Sequence, residues 1–409
     1  MRFTSALRGV ATVAALATVG LGLAACTPDA PSGDGDGPIV IGTSLPLTGD
    51  FSEGGTNTQQ GYEVWKAITN ENGGLLGRQV DFKVYDDASD QNTVVSDYTQ
   101  LIGQDGVDLV LGSQSSLLNI PASAIAEREG YLFICPSCGS GDMYNRGFTK
   151  IFFSQQSVAA NQAKLFAEWI AALPEDERPA TAAYPSLDDP FAGPVVDGAE
   201  AILSAAGVET VYKDVYPADT KNFDSIVAAV RDSGAEMVVQ GAQFEDGVNF
   251  LRSMNRAGYQ PDILFQSSSP TYGDQYLDGV GQENTEGVFF AASYTTQAAT
   301  PGNEEFIAKY KELYDGAEPP EDAADGYAAA QVLQAAVEAV GSIDDQDALA
   351  DWLHANSVDT ILGTLSWNED GSPKGDFLIG QWQGGVAQIV LPADVATSDE
   401  ILRWRGGAL

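Results

Sequence analysis

Two cysteines three positions apart, Cys135 and Cys138 in Phe133-Ile134-Cys135-Pro136-Ser137-Cys138-Gly139-Ser140-Gly141, have the types and spacing for chemistry. Such a pair can act as a redox dithiol, supply half a zinc site, or close a short disulfide. Zinc needs four protein ligands, or three and a water. The one histidine of the chain, His354, stands far downstream in a stretch that reads as the surface of a helix. No metal and no cofactor are expected. A catalytic dithiol normally sits at a helix N-terminus, which lowers the thiol pKa, whereas Gly139-Ser140-Gly141-Asp142 is poor helix material. In an oxidising compartment the expectation is a disulfide. Dithiol–disulfide oxidoreduction through Cys135 and Cys138 is the competing reading. Other catalytic patterns are missing: there is no Gly-x-Ser-x-Gly elbow, and a single histidine gives little support for Ser-His chemistry. The chain is expected not to be an enzyme.

The N-terminus bears on the compartment. Arg2 and Arg8 lead into an uncharged apolar stretch, Gly9 to Leu23, too short to span a bilayer comfortably and closed by small residues. It ends in Leu23-Ala24-Ala25-Cys26, which resembles a bacterial lipobox; the resemblance implies cleavage before Cys26 and a diacylglycerol on its sulfur. The expected location is the extracytoplasmic face of the cell membrane. Residues 26–37 are rich in Pro, Gly, Ser and Asp and read as a flexible tether. The chain of 409 residues carries 58 acidic and 20 basic side chains, a net charge of −38. A surface that acidic repels phosphate backbones and excludes a nucleic-acid partner.

The elements that must position Cys135 and Cys138 alternate from Pro38 onward. PIVIGTSL, QVDFKVYDD, VDLVLG, GYLFICP, KIFFSQ, ATAAYP, AEMVVQG, DILFQS and GVFFAAS are strand-like, mostly with helical stretches between them. Runs this apolar fit strands covered on both faces, hence parallel sheets in an α/β fold. Two segments resemble each other. Residues 109–137 and 237–269 each read strand, Gly-x-Gln loop, helix, Gly-Tyr turn, strand, Ser-bearing loop. All βαβ units share some of this pattern; the sharper reading is two lobes of similar design, with equivalent loops at the C-terminal strand ends where ligands bind in open α/β sheets. Cys135 to Gly139 then occupies the place that Gln266 to Ser269 holds in the second lobe.

IGTSLPLTGDFSEGG, QGYEVW, NENGGLLGR, VYDDASD, LVLGSQSS, DDPFAG, AADGYAAAQVL and GTLSWNEDGSPKG, in this order, resemble the branched-chain amino-acid class of ABC-transporter substrate-binding proteins. The resemblance implies a type I periplasmic binding protein fold: two Rossmann-like lobes with parallel sheets, joined by a three-segment hinge, enclosing a small ligand. The boundaries expected are a leader at 1–25, the tether at 26–37, a first lobe of 38–157 and 287–365, and a second of 158–286 and 366–409. The implied partners are a small-molecule ligand, an ABC permease with its ATPase subunits, and the membrane through the lipid; the protein is expected to be a monomer. A ligand-sensing lipoprotein without transport is a further alternative.

The resemblance also places site residues. Ser116, with Ser115 beside it, stands where the family grips a ligand carboxylate. Ser137 and Gly139 flank Cys138 on the next loop, and Gly139 offers only its N–H where a threonine is usual. Phe191 replaces the usual tyrosine of the second lobe, and Gly54 an aromatic. Amino-acid binders carry a Glu or Asp for the ammonium where Ser269 stands, with Asp189 and Glu245 as the nearest substitutes. Gln240 and Gln243 offer amides, and Tyr272 either lines the pocket or packs on the lobe surface. The expected ligand is a small carboxylate, amino acid, amide or aromatic acid.

Overall fold

Residues 37–405 are described by the computed structural model. The leader, Cys26 and the tether up to residue 36 lie outside them, together with what was read from those segments. Among the described residues no helix is long and apolar enough to cross a membrane.

The first sheet is built by β1 (Ile39–Leu45), β2 (Val80–Asp86), β3 (Leu109–Leu111), β4 (Phe133–Cys135) and β5 (Ile151–Phe153), interleaved with α1 (Ser52–Glu71), α2 (Gln91–Gln100) and α3 (Ser116–Glu129). Its strands are parallel, in the order β2-β1-β3-β4-β5. Ile39, Ile41, Leu109, Leu111 and Ile134 face one core, and Val110, Phe133 and Cys135 the other. Period-two alternation requires this of a sheet covered on both sides. Each fully buried Ile, Leu or Phe contributes roughly 1.5–3 kcal/mol relative to exposure.

The chain then crosses to the second half: α4 (Lys164–Ala172), β6 (Thr181–Leu187), α5 (Ala192–Ala205), β7 (Glu209–Tyr216), α6 (Asp224–Asp232), β8 (Met237–Gln240), α7 (Phe244–Ala257), β9 (Ile263–Gln266), α8 (Asp274–Val280) and β10 (Phe289–Ala292). It returns with α9 (Asn303–Leu313), α10 (Glu321–Val340), α11 (Gln346–Ala355), β11 (Val358–Thr360) and β12 (Gly363–Leu365), and crosses again to β13 (Leu378–Gln383) and β14 (Val386–Leu391). The second sheet runs β7-β6-β8-β9-β10, the order of the first, and is extended by antiparallel β13 and β14. The two similar segments of the sequence are therefore β3-α3-β4 and β8-α7-β9, equivalent units of two like sheets.

Three crossings join the lobes and are bonded to one another. Gln156 Nε2 donates to Ser293 O at 2.6 Å and Leu362 O at 3.1 Å, and Trp367 Nε1 donates to Phe153 O at 2.7 Å. The second crossing begins later than the sequence suggested. β10 pairs with β9 through Phe289 and with β13 over all four of its residues, so 287–292 belong to the second sheet and not to the first lobe. The third begins after Trp367, which is buried in the first lobe's core, and ends by Phe377, buried in the second's.

Candidate functional site

The loops at the C-terminal strand ends face each other across the cleft. On the first lobe, Ser115 caps α3, its hydroxyl accepting from Leu117 N at 3.2 Å, with φ at 74°. A positive φ is costly for a residue with a side chain and collects at functional loops. Ser116 Oγ accepts from Ser140 N at 3.1 Å, which draws the start of α3 against the loop after β4. Asn119 locks the two together. Its amide donates to the carbonyls of Ser113, Ser115 and Ser137 at 2.6, 3.0 and 2.8 Å, and its carbonyl accepts from Ser113 N at 2.8 Å.

Cys135 and Cys138 form a disulfide across Cα atoms 6.0 Å apart. Both are 0% exposed, in the core beneath the loop. Disulfide exchange needs a sulfur that a thiolate can reach, so their burial argues against the oxidoreductase reading and leaves a loop pin. Tyr144 Oη donates to Cys138 O at 2.9 Å, and Gly139 O accepts from Ala159 N at 2.7 Å. With its carbonyls tied, the loop presents three successive N–H groups, of Ser137, Cys138 and Gly139, for which there is no acceptor among the described residues. Cys138 and Gly139 are buried and Ser137 is half-buried. Buried N–H groups are nearly always paired, and successive free ones make a seat for an anion.

The second lobe departs more from the sequence reading. Gln240 is fully buried below the loops, donating to Tyr216 Oη at 3.0 Å and accepting from Gln266 Nε2 at 2.6 Å. Ser269 is equally buried and donates to the carbonyls of Gln243 and Phe244 at 2.6 and 2.8 Å. Neither reaches into the cleft. Phe191 is half-buried and packs against both cores of its lobe rather than closing over a ligand. Gln243 fits better: it precedes α7 and lines a cavity of about 160 Å3 at the cleft mouth with Asp50, Phe51, Leu117 and Lys221. Asp189 lies beside it. Its Oδ1 caps α5, accepting from Phe191 N and Ala192 N at 2.7 and 3.2 Å, while its buried Oδ2 has no partner. Burial holds this carboxyl above its ordinary pKa. Glu245 is exposed and paired with Lys221 instead.

The lobes meet at Tyr272, Gln114 and Gly54. Tyr272 is 3% exposed and stacked on Phe244 at 4.4 Å between ring centroids. A Cβ at Gly54 would lie 2.7 Å from Tyr272 Oη and 2.8 Å from the Gln114 amide, so only glycine lets these three converge. Asn57 Nδ2 donates to Gln275 Oε1 at 3.0 Å, and Gln275 Nε2 donates to Glu53 Oε2 at 2.7 Å, closing the same seam. On the hinge side Asp322, at the start of α10, neighbours the Tyr272 hydroxyl; burial pushes its pKa up to about 6. Beyond Tyr272, a separate cavity of about 580 Å3 opens beside the hinge, lined by Tyr294, Tyr310, Tyr314, Glu318 and Trp382 among others.

Gln114, Asn119 and Asp322 were not singled out from sequence. Gln114 had a signal: it stands in the Gly-x-Gln loop of the first repeat where Gln243 stands in the second. Asp322 had none, as one of 58 acids.

The comparisons agree with this geometry. The Leu/Ile/Val-binding protein homolog 3 of Brucella melitensis is 27% identical over 93% of this chain and 98% of its own length. The leucine-binding protein LivK of Thermotoga maritima superposes with a TM-score of 0.76 at 17% identity, over 86% of this chain and 97% of its own. A solute-binding protein of R. palustris in complex with benzoate gives 0.77 at 18%, over 91% and 98%. A family model described as periplasmic binding protein matches residues 38–387, and with it the paired sheets, the three crossings and the cleft have one reading: this chain belongs to the periplasmic binding protein family, in its type I, branched-chain amino-acid class.

Proposed function

We propose that the protein is the extracytoplasmic receptor of an ABC importer, held to the membrane by a lipid on Cys26, and that it encloses a small carboxylate-bearing ligand between closing lobes. The observation that carries the ligand assignment is the run of free N–H groups at Ser137, Cys138 and Gly139, beside the Ser116 hydroxyl. Backbone donors fixed by Asn119, Tyr144 and the disulfide need little reorganisation to receive an anion. A carboxylate is also the shared feature of the molecules named with four solved relatives, leucine, isoleucine, benzoate and 4-hydroxybenzoate. The lobes approach through a few polar contacts, such as Lys221 with Asp50 at 2.9 Å. An exposed pair of this kind is worth ~1 kcal/mol or less, so ligand contacts are what would hold the cleft shut.

The test is thermal unfolding of the chain from Thr27 onward against amino acids, small oxo and hydroxy acids, amides and aromatic acids. A ligand at about 100 times its Kd should add about 2.7 kcal/mol, a shift of a few degrees. Hits confined to carboxylates support the reading. No shift with any compound, or hits confined to molecules without a carboxylate, would overturn it.

A further inference from the structure

We propose that Asp322, with Gln114 and Tyr272, forms a second polar subsite on the hinge side of the cleft that receives a cationic nitrogen of the ligand. The inference rests on the receptor reading above and narrows its ligand class to carboxylates that also carry a positive charge. The argument is the sorting of unpaired groups by kind. On the β4 loop they are donors, the three N–H groups. Around Tyr272 they are acceptors: Asp322 Oδ2 is shut off from solvent without a partner, and Gln114 Oε1, on a side chain only 2% exposed, has none either. Both side chains adjoin the Tyr272 hydroxyl, Gln114 through the gap left by Gly54.

The neighbouring acids do not share this condition. Glu321 accepts from the N–H groups of Ser293 and Tyr294 at 2.9 and 3.3 Å. Asp325 accepts from Ser293 Oγ and Gln155 Nε2 at 2.7 and 2.5 Å. Asp322 alone of the three keeps a buried oxygen without a partner, and no Lys or Arg among the described residues pairs with it. A carboxylate taken from water without a counter-charge is costly. A ligand ammonium or guanidinium would remove that cost and saturate Gln114 as well, whereas an apolar group would strand both acceptors. The sequence puts Ser269 where an acid is usual for the ammonium and offers Asp189 and Glu245 as substitutes. Glu245 is exposed and paired with Lys221, and the hinge-side carboxylate comes from a different element, the start of α10.

Calorimetric titration with matched pairs tests this: leucine against 4-methyl-2-oxopentanoate, 4-aminobutanoate against butanoate, and 4-(aminomethyl)benzoate against benzoate. For at least one pair the wild-type chain should prefer the nitrogen-bearing member by about tenfold or more, and Asp322→Asn should abolish the preference while changing affinity for the amine-free member less than about threefold. Gln114→Met, which keeps the length of the side chain, should cut the same preference by a smaller factor and serves if Asp322→Asn misfolds. An unchanged preference in both variants, or equal binding of both members by the wild type, overturns the subsite but not the receptor. Silence from all six compounds overturns the receptor reading and the subsite together.

Discussion

Asn119 holds the anion loop more firmly than any residue that the sequence singles out. Its side chain makes four hydrogen bonds, to Ser113, Ser115 and Ser137, all at or beside the cleft. Asn119→Ala would leave buried backbone groups unpaired and should cost about 2–4 kcal/mol, read as the midpoint of urea unfolding; a loss below half a kcal/mol would mean that the loop holds itself. At this scale the sequence was partly legible. Ser116 and the Ser137–Gly139 loop were placed by the resemblance and do come together. Gln240 and Ser269 were misread because strand and turn geometry, not residue type, decides where a side chain points. Gln240 follows Val238 by two on β8, and both therefore face the same core. Phe191 was lost to packing in the same way.

Among elements, α1 and α10 matter most for the site because one carries Gly54 and the other Asp322. They cross with backbones nearly touching: a Cβ at Gly61 would lie 2.0 Å from Ala323 O, and one at Gly326 2.7 Å from Thr58 O. Gly61→Ala should force the helices apart, cost about 1–3 kcal/mol and weaken ligand binding. Full stability with unchanged affinity would show that the crossing is not what sets the subsite. The strands of both parallel sheets were readable from apolar runs except the half-exposed edge strand β7, and the repeat showed that the two lobes are alike without giving the strand order. The antiparallel pair β13 and β14 was not, and β10 was assigned to the wrong lobe for a related reason. A buried run such as GVFFAAS announces a strand without naming its neighbours, and the strand that fixes β10 on its far side lies across another crossing.

For the whole molecule the consequence is a response to pH. Burial raises the carboxyls of Asp87 and Asp246 to about 7, Glu321 to about 8 and Asp322 to about 6. Each holds its proton more tightly folded than unfolded, so its contribution to stability is complete below about pH 4 and is lost as pH rises through the folded value. The net charge of −38 at neutral pH works in the same direction. Without ligand, Tm should therefore fall between pH 5 and pH 8, and Glu321→Gln should flatten the fall; a Tm that rises across that range would refute the assignment. Binding is the counterpart, since a charged ligand would engage groups that the empty protein keeps unpaired. The central claim is where that ligand sits, and a crystal structure of the protein with the best carboxylate from the unfolding screen tests it most directly. The account predicts carboxylate oxygens within about 3 Å of the Ser137, Cys138 and Gly139 N–H groups and of Ser116 Oγ. A ligand found instead in the cavity lined by Tyr294, Tyr310 and Trp382, with the β4 loop untouched, would contradict it.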